Sequence, residues 1–341
     1  MVQVVSAVEE NDWNDFLHSC EAATIYHTPA WKMFLVKTFA YEPHYLFALN
    51  ETGKIIALLP LFSIKSKVTG SRLCSVPFAH LCGYIGDNRA FNTVMDEALL
   101  LYGQLGLDYL EIRSTVAARG FITENKFNTY ILELSPAPEK TWKKLNSNAK
   151  RNVKRAAKME VSAEATKNRE DLRTFYELNC INKRDIGVPC HPWPFFTNLF
   201  DILGDYAHLY VAKHDGKIVG GGIMLCYKNT ALYAYGASSP ENLKYYPYYS
   251  YIWKCIEDFC RSGYLIFDFG RSDTGNAGLI EFKKRWGTAE KKLYYSCYPG
   301  SPRSIGHNRA SVKLRLAARA INTMPMIVYK KLSDITFQHF G

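Results

Sequence analysis

"HYLFALNETGKIIALLPLFSIK" runs from His44 to Lys65, and "HLYVAKHDGKIVGGGIMLCYK" from His208 to Lys228. Each reads as an apolar run, a short polar turn, the triplet Gly-Lys-Ile and a second apolar run. The turns hold Thr52-Gly53 and Asp215-Gly216, residue pairs that accept the backbone of a tight hairpin. The match extends both ways. "PAWKMFLVKTF" precedes the first hairpin and "WPFFTNLFDIL" the second, both with helical apolar spacing. Downstream, helical stretches at 91–105 and 251–262 lead to "LDYLEIRS" and "YLIFDFGRS", ending in Arg113-Ser and Arg271-Ser. Self-similarity at this length means a duplicated domain.

Each copy therefore reads helix, hairpin, strand, helix, strand, with a last strand in "TYILEL" or "KLYYSCY". That order predicts a mixed α/β sheet with a helical crossover. It is similar to the fold of the Gcn5-related N-acetyltransferases (GNAT), so the expectation is two tandem GNAT-like domains and a helical tail. The expected boundaries are 1–138, 139–298 (carrying the site) and 299–341. Between the copies, Trp142, Leu145, Ala149, Val153 and Ala156 mark one helix flanked by Lys143, Lys144, Lys150, Arg151, Lys154, Arg155 and Lys158. That basic flank is either a solvated face or a strip for a polyanion. In the tail, "SPRSIGHNR" reads as a loop, and 311–323 and 326–339 as basic amphipathic segments.

Composition narrows the classes. The 341 residues are 48% hydrophobic, which supports a packed core, and the net charge of +10 favours acidic partners. The nine cysteines form no C-x-x-C pair, so reduced thiols in the cytoplasm and no metal centre are expected. The opening "MVQVVSAVEENDW" has no cationic segment before an apolar run, so no secretory signal is expected. In "FDFGRSDTGNAGLIEFKKRWGT", Phe267–Thr288, the "DFG" lacks the partner motifs of a kinase. Gly270 to Gly275 has P-loop spacing, yet Asn276 and Ala277 stand where Lys and Ser/Thr should be.

The motifs together resemble the Fem-type (FemABX) peptidyltransferases and their Fem-related, BioF2-like relatives. "TPAWKMF" at Thr28, "AKRNVKRAAK" at Ala149, "NKRDIGVPCHPWPFF" at Asn182, "DGKIVGGGIML" at Asp215, "YGASSPE" at Tyr235, "FDFGRS" at Phe267 and "FKKRWG" at Phe282 occur in the family's order. The resemblance implies a cytoplasmic acyltransferase, with a peripheral place at the inner face of a membrane as the alternative. It would pass an aminoacyl or other acyl group to an amine on a phosphate-bearing cell-envelope glycan or lipid precursor. It implies that Arg184 binds phosphate and that the important lysine is Lys283 or Lys284. The long coiled-coil arm of some cell-wall members is absent here, which leaves the acceptor open.

Aminolysis needs an amine without its proton, a stabilised oxyanion and an aligned donor. Asp268, between Phe267 and Phe269 in a predicted strand, faces away from both rings. It is a candidate to take or orient the amine proton, or else a partner of Arg271. Asp268, Lys283 and Lys284 are thus the catalytic candidates. Arg184, Arg271, Tyr246, Tyr248, Lys32 and Arg151 are the substrate-binding candidates, with Arg184, Arg271 and one lysine expected to converge on one anion. Adjacent Lys283 and Lys284 point different ways, so at most one faces a ligand. Trp286 is expected in the core, and Arg113 to hold a turn.

No tightly bound cofactor is expected. The acyl donor is aminoacyl-tRNA or, as the alternative, acyl-CoA. In CoA-dependent members of the fold, glycines before the crossover helix let main-chain N–H groups reach pyrophosphate. Here "KYYPYYSY", Lys244–Tyr251, occupies that place. A phosphorylated acceptor, tRNA and an anionic membrane are the expected partners, DNA is not, and a catalytically silent anion-binding scaffold is the remaining alternative.

Overall fold

The structure, a computed structural model, describes residues 2–66, 68–300 and 312–341. The chain forms two compact units: Met1–Phe127 with Lys292–Arg309 and Gln338–Gly341, and Asn128–Lys291 with Ala310–Phe337. The loop expected over 301–309 lies outside the described residues. No helix among the described residues is long and apolar enough to cross a membrane.

The first unit runs β1 (Gln3–Val5), α1 (Glu10–Ser19), α2 (Pro29–Phe39), β2 (Glu42–Leu49), β3 (Ile55–Ile64), β4 (Arg72–Cys74), the short β5 (Ile85–Gly86), α3 (Phe91–Leu105), β6 (Tyr109–Ser114) and the start of β7 (Ile122–Glu133). β1, β2, β3 and β4 pair antiparallel in that order, and β4 pairs parallel with β6 across the α3 crossover. Gly53, at φ 78°, supplies the left-handed residue the β2–β3 turn needs. Val94, Met95 and Ala98 of α3 seal the core against Leu46, Ala57, Leu59 and Leu110. Each such large side chain contributes about 1.5–3 kcal/mol on burial. Arg113 holds a turn, as its position implied: it is buried, ion-paired with Glu111 at 2.6 Å, and donates to the Ala79 carbonyl at 2.9 Å.

The second unit adds α4 (Pro138–Lys144) and α5 (Ser147–Lys158), then repeats the order: β8 (Ser162–Thr166), α6 (Arg169–Asp185), α7 (Trp193–Leu203), β9 (Ala207–His214), β10 (Lys217–Tyr227), β11 (Thr230–Ser238), α8 (Pro247–Arg261), β12 (Ile266–Asp273), α9 (Ala277–Lys284) and the start of β13 (Ala289–Tyr298). β8, β9, β10 and β11 pair antiparallel, and β11 pairs parallel with β12. The duplication is therefore real in topology, down to the parallel pair made by the crossover. Tyr251, Ile252, Cys255, Ile256 and Phe259 of α8 pack with Met224, Phe267 and Phe269. α10 (Val312–Thr323) and α11 (Met326–Thr336) complete the unit.

Four details differ from expectation. The single basic helix is two, because an extended Leu145 ends α4 and Asn146 caps α5, its side chain accepting from the Ala149 N–H at 2.9 Å. The boundary expected after residue 138 falls after Phe127, inside β7. The last strands are exchanged. Tyr294–Tyr298 of β13 pairs antiparallel with Ser114–Leu110 of β6 and belongs to the first unit. The "TYILEL" half of β7 belongs to the second, next to β12, where the Leu134 N–H donates to the Leu265 carbonyl at 2.8 Å. The described tail is likewise no separate body: α10 and α11 join the second unit and Gln338–Gly341 the first.

Candidate active site

In the second unit β11 and β12 pair at Thr230↔Ile266, Ala231↔Phe267 and Leu232↔Asp268, and the ladder stops there although both strands run on. The strands part at Asp268. Beyond that point the main-chain groups of β11 on this side have no partner in β12, which offers an edge to an extended ligand. A bulge sharpens the fork. On β11, Tyr233 faces Met224 and Tyr235 faces Ile223, so Ala234 is the extra residue. The bulge sends the two tyrosines to opposite faces of the sheet. Tyr235 packs on His191, Phe195 and Phe196, whereas Tyr233 turns to α8 and bonds the Tyr251 hydroxyl at 2.6 Å. Gly236 makes room for it, since a Cβ there would stand 1.8 Å from the Tyr233 hydroxyl.

Alternation along β12 places Phe267 and Phe269 with Trp286 and α8, and the carboxylate on the other face. Asp268 is buried and accepts hydrogen bonds from the Thr129 hydroxyl and, at 2.8 Å, from the Gly270 N–H. Gly270 adopts φ 67°. Its carbonyl accepts from Lys283 Nζ at 2.6 Å, and the Arg271 carbonyl does so at 3.1 Å. Lys283 is buried, and its Nζ lies 5.7 Å from the centre of the Tyr130 ring. Burial pulls its pKa down to about 8, against the upward pull of Asp268, and Arg271 lowers it further.

Lys284 points out. Half-exposed, it pairs with Glu290 at 3.0 Å, which raises its pKa. One lysine of the pair thus faces the β12 turn and the other solvent. Trp286 is in the core, stacked on Tyr249.

Asp268, Lys283 and Arg271 come together around one turn, with the Arg271 side chain at an exposed position. Arg184 sits in the last turn of α6, its Nε buried without a hydrogen-bond acceptor. None of the contacts described joins it to Lys283. Tyr248 donates to Asn182 Oδ1 at 3.3 Å, two residues from Arg184, and Asn182 also accepts from the Ser238 N–H at 2.9 Å, at the end of β11. Tyr246 accepts from Arg155 of α5 at 3.3 Å. Arg151 is exposed and bonded to Asn148, and Lys32 belongs to the first unit, over the Trp13 and Tyr45 rings. Thr129, Asn182 and Tyr233 were not singled out as site residues from the sequence; Thr129 has no signal there, because its strand is recruited from the other copy's sequence.

Two surface depressions elsewhere share no residue with this cluster. One, of about 200 Å³, lies between Thr166–Arg169 and Gly204–Leu209. The other, of about 280 Å³, lies between Phe39–Glu42 and Ser63–Lys65. No cluster of metal-ligating side chains occurs among the described residues.

Residues 143–284 match the family model described as "Acetyltransferase (GNAT) domain", and the fork lies within them. This segment therefore has the GNAT-type fold, and the element order of the first unit repeats it. The crystal structure of FemX aligns over 86% of this chain and 96% of its own, at 16% identity and a TM-score of 0.69. The C-terminal domain of a putative lysylphosphatidylglycerol synthetase from Agrobacterium fabrum aligns over 92% and 94%, at 13% identity and a TM-score of 0.57. A tandem GNAT protein from the clavulanic acid biosynthesis pathway aligns over 87% and 98%, at 9% identity and a TM-score of 0.53. At these identities the likeness is one of fold. No curated protein sequence matches the chain.

Proposed function

We propose that the protein is an N-acyltransferase of the Fem-related kind, moving an aminoacyl group from aminoacyl-tRNA to an amine on a phosphate-bearing envelope glycan or lipid precursor. The observation that carries this is the buried Asp268–Lys283 pair at the point where β11 and β12 part. The acceptor amine attacks the ester carbonyl, the C–N bond forms, the C–O bond breaks and the ribose hydroxyl leaves with a proton. Asp268 receives or orients the amine proton. Lys283, as ammonium, and the arginines Arg271 and Arg184 balance phosphate or oxyanion charge.

The choice of donor rests on the segment before α8. Pro247 at its first position has no N–H to offer, and Tyr246 is left-handed at φ 58°. Tyr245 is stacked on His214 at 4.1 Å, and Tyr246 on Arg155. A pyrophosphate would have to displace these rings. The exposed basic residues of α5 suit an RNA backbone instead.

The test is a thermal-shift titration with acetyl-CoA and with aminoacyl-tRNA, followed by transfer of labelled amino acid to an amine-bearing sugar diphosphate. Stabilisation by the charged RNA that weakens with salt is expected. Saturable micromolar stabilisation by acetyl-CoA, with none by charged tRNA, would replace this donor with coenzyme A.

A further inference from the structure

Cys180 lies in α6, and Cys190 follows the turn that ends it. Gly187 and Val188 donate their N–H groups to the carbonyls of Arg184 and Lys183, at 2.8 and 3.0 Å. The chain thereby reverses and brings Cys190 back beside Cys180. The two sulfurs are 3.3 Å apart, with Cys180 donating, and both residues are buried. A disulfide needs about 2.05 Å, so closing the bond asks for little more than an ångström. α11 fixes the returning segment: the Cys190 N–H donates to the Ser333 hydroxyl at 3.2 Å, and the Tyr329 hydroxyl donates to the Val188 carbonyl at 2.7 Å.

The pair is also polarised. The hydrogen bond from Cys180 draws the Cys190 thiol down to about 7, against its burial, with Ser333 and Tyr329 adding to the effect. Cys180, whose proton is held in that bond, is pushed up. One sulfur is therefore the nucleophile and the other its proton-bearing neighbour.

We propose that Cys180 and Cys190 form a reversible dithiol–disulfide site, oxidised by a small hydroperoxide. The Cys190 thiolate attacks the terminal peroxide oxygen, the O–O bond breaks, and Cys190 becomes a sulfenic acid while hydroxide or alcohol leaves. Cys180 then attacks the Cys190 sulfur, the S–S bond forms and water departs with the Cys180 proton. Two thiols lose two electrons and the peroxide gains them. A peroxide is small enough to reach a thiol that larger oxidants cannot. The bond would cross-link the two sides of the turn that carries Asn182 and Arg184, and it does not depend on the acyl-transfer reading.

The full chain, treated with a few equivalents of hydrogen peroxide and then blocked with iodoacetamide, gives the test. Trypsin cuts after Lys183 and Arg184, between the two cysteines. The bridge should therefore appear as peptide 174–183 linked to peptide 185–213, lighter by two hydrogens than the pair and separated by dithiothreitol. Cys180→Ser and Cys190→Ser should each abolish that species, and Cys180→Ser should let the Cys190 sulfenic acid accumulate for trapping by dimedone. Both peptides carboxamidomethylated in the treated wild type, or Cys190 driven to sulfinic acid without a linked pair, would overturn the proposal. The wild-type peptide map decides the matter even if a variant fails to fold.

Discussion

Lys283 donates a 2.6 Å hydrogen bond to the carbonyl of Gly270, and the φ of 67° at that glycine turns the carbonyl toward it. The last turn of α9 is in this way tied to the end of β12. The ammonium also feels Asp268, which favours its charge, and Arg271, which opposes it. Lys283→Met removes the donor to two carbonyls and the charge at once. The expected outcome is weaker binding of the phosphorylated acceptor by about 1.5–3 kcal/mol, the worth of a charged hydrogen bond, measured by calorimetry. Lys284→Met, which loses the solvent-screened Glu290 pair, should leave that affinity unchanged.

The pH profile follows from the same lysine. Its pKa in the folded protein is about 8, below the ordinary lysine value. The charged form prevails below that pH and is lost as pH rises through it. Transfer that requires the ammonium should show kcat/KM falling above about 8. Asp268→Asn removes the charge that raises this pKa, so the alkaline limb should move to lower pH. A limb unmoved in the asparagine variant would separate the two residues functionally.

Burial of His27 predicts an acid limb in stability. Its pKa is lowered to about 4, chiefly by desolvation, with the hydrogen bonds to Gly83 and Thr24 acting the other way. The unfolded chain takes up that proton near 6.5, so stability is complete above 6.5 and declines as pH falls toward 4. The loss should total about 3 kcal/mol by urea unfolding. His27→Gln should flatten that part of the profile.

Two glycines make opposite predictions. Gly236→Ala drives a Cβ onto the Tyr233 hydroxyl and should cost about 1–3 kcal/mol in thermal unfolding. Gly103→Ala, inside α3 with nothing within 4 Å of the new atom, should stabilise by about 0.5–1 kcal/mol.

The repeated hairpins were legible because tight turns and alternating apolar residues leave local marks, at Gly53 and Gly216 above all. The crossover helices and the parallel pairing followed from element order. The owner of the last strands was not legible: "TYILEL" and "KLYYSCY" have the same alternation whichever sheet edge they join, and only long-range packing decides. Which of Lys283 and Lys284 turns inward was equally closed to the sequence, since adjacent helical residues point about 100° apart and the neighbours choose. Asp268 was placed on the correct face by alternation alone, yet its partner Thr129 could not be named, because it comes with the exchanged strand.

That exchange sets an order of events during synthesis. β6, complete at Ser114, has Tyr294–Tyr298 as the partner of its outer edge. Until the ribosome has passed residue 294, the first unit carries an open edge of hydrogen-bonding groups. A unit whose other strands come early in translation therefore waits on a strand that comes late, and a chain released before residue 294 leaves that edge to whatever strand it meets.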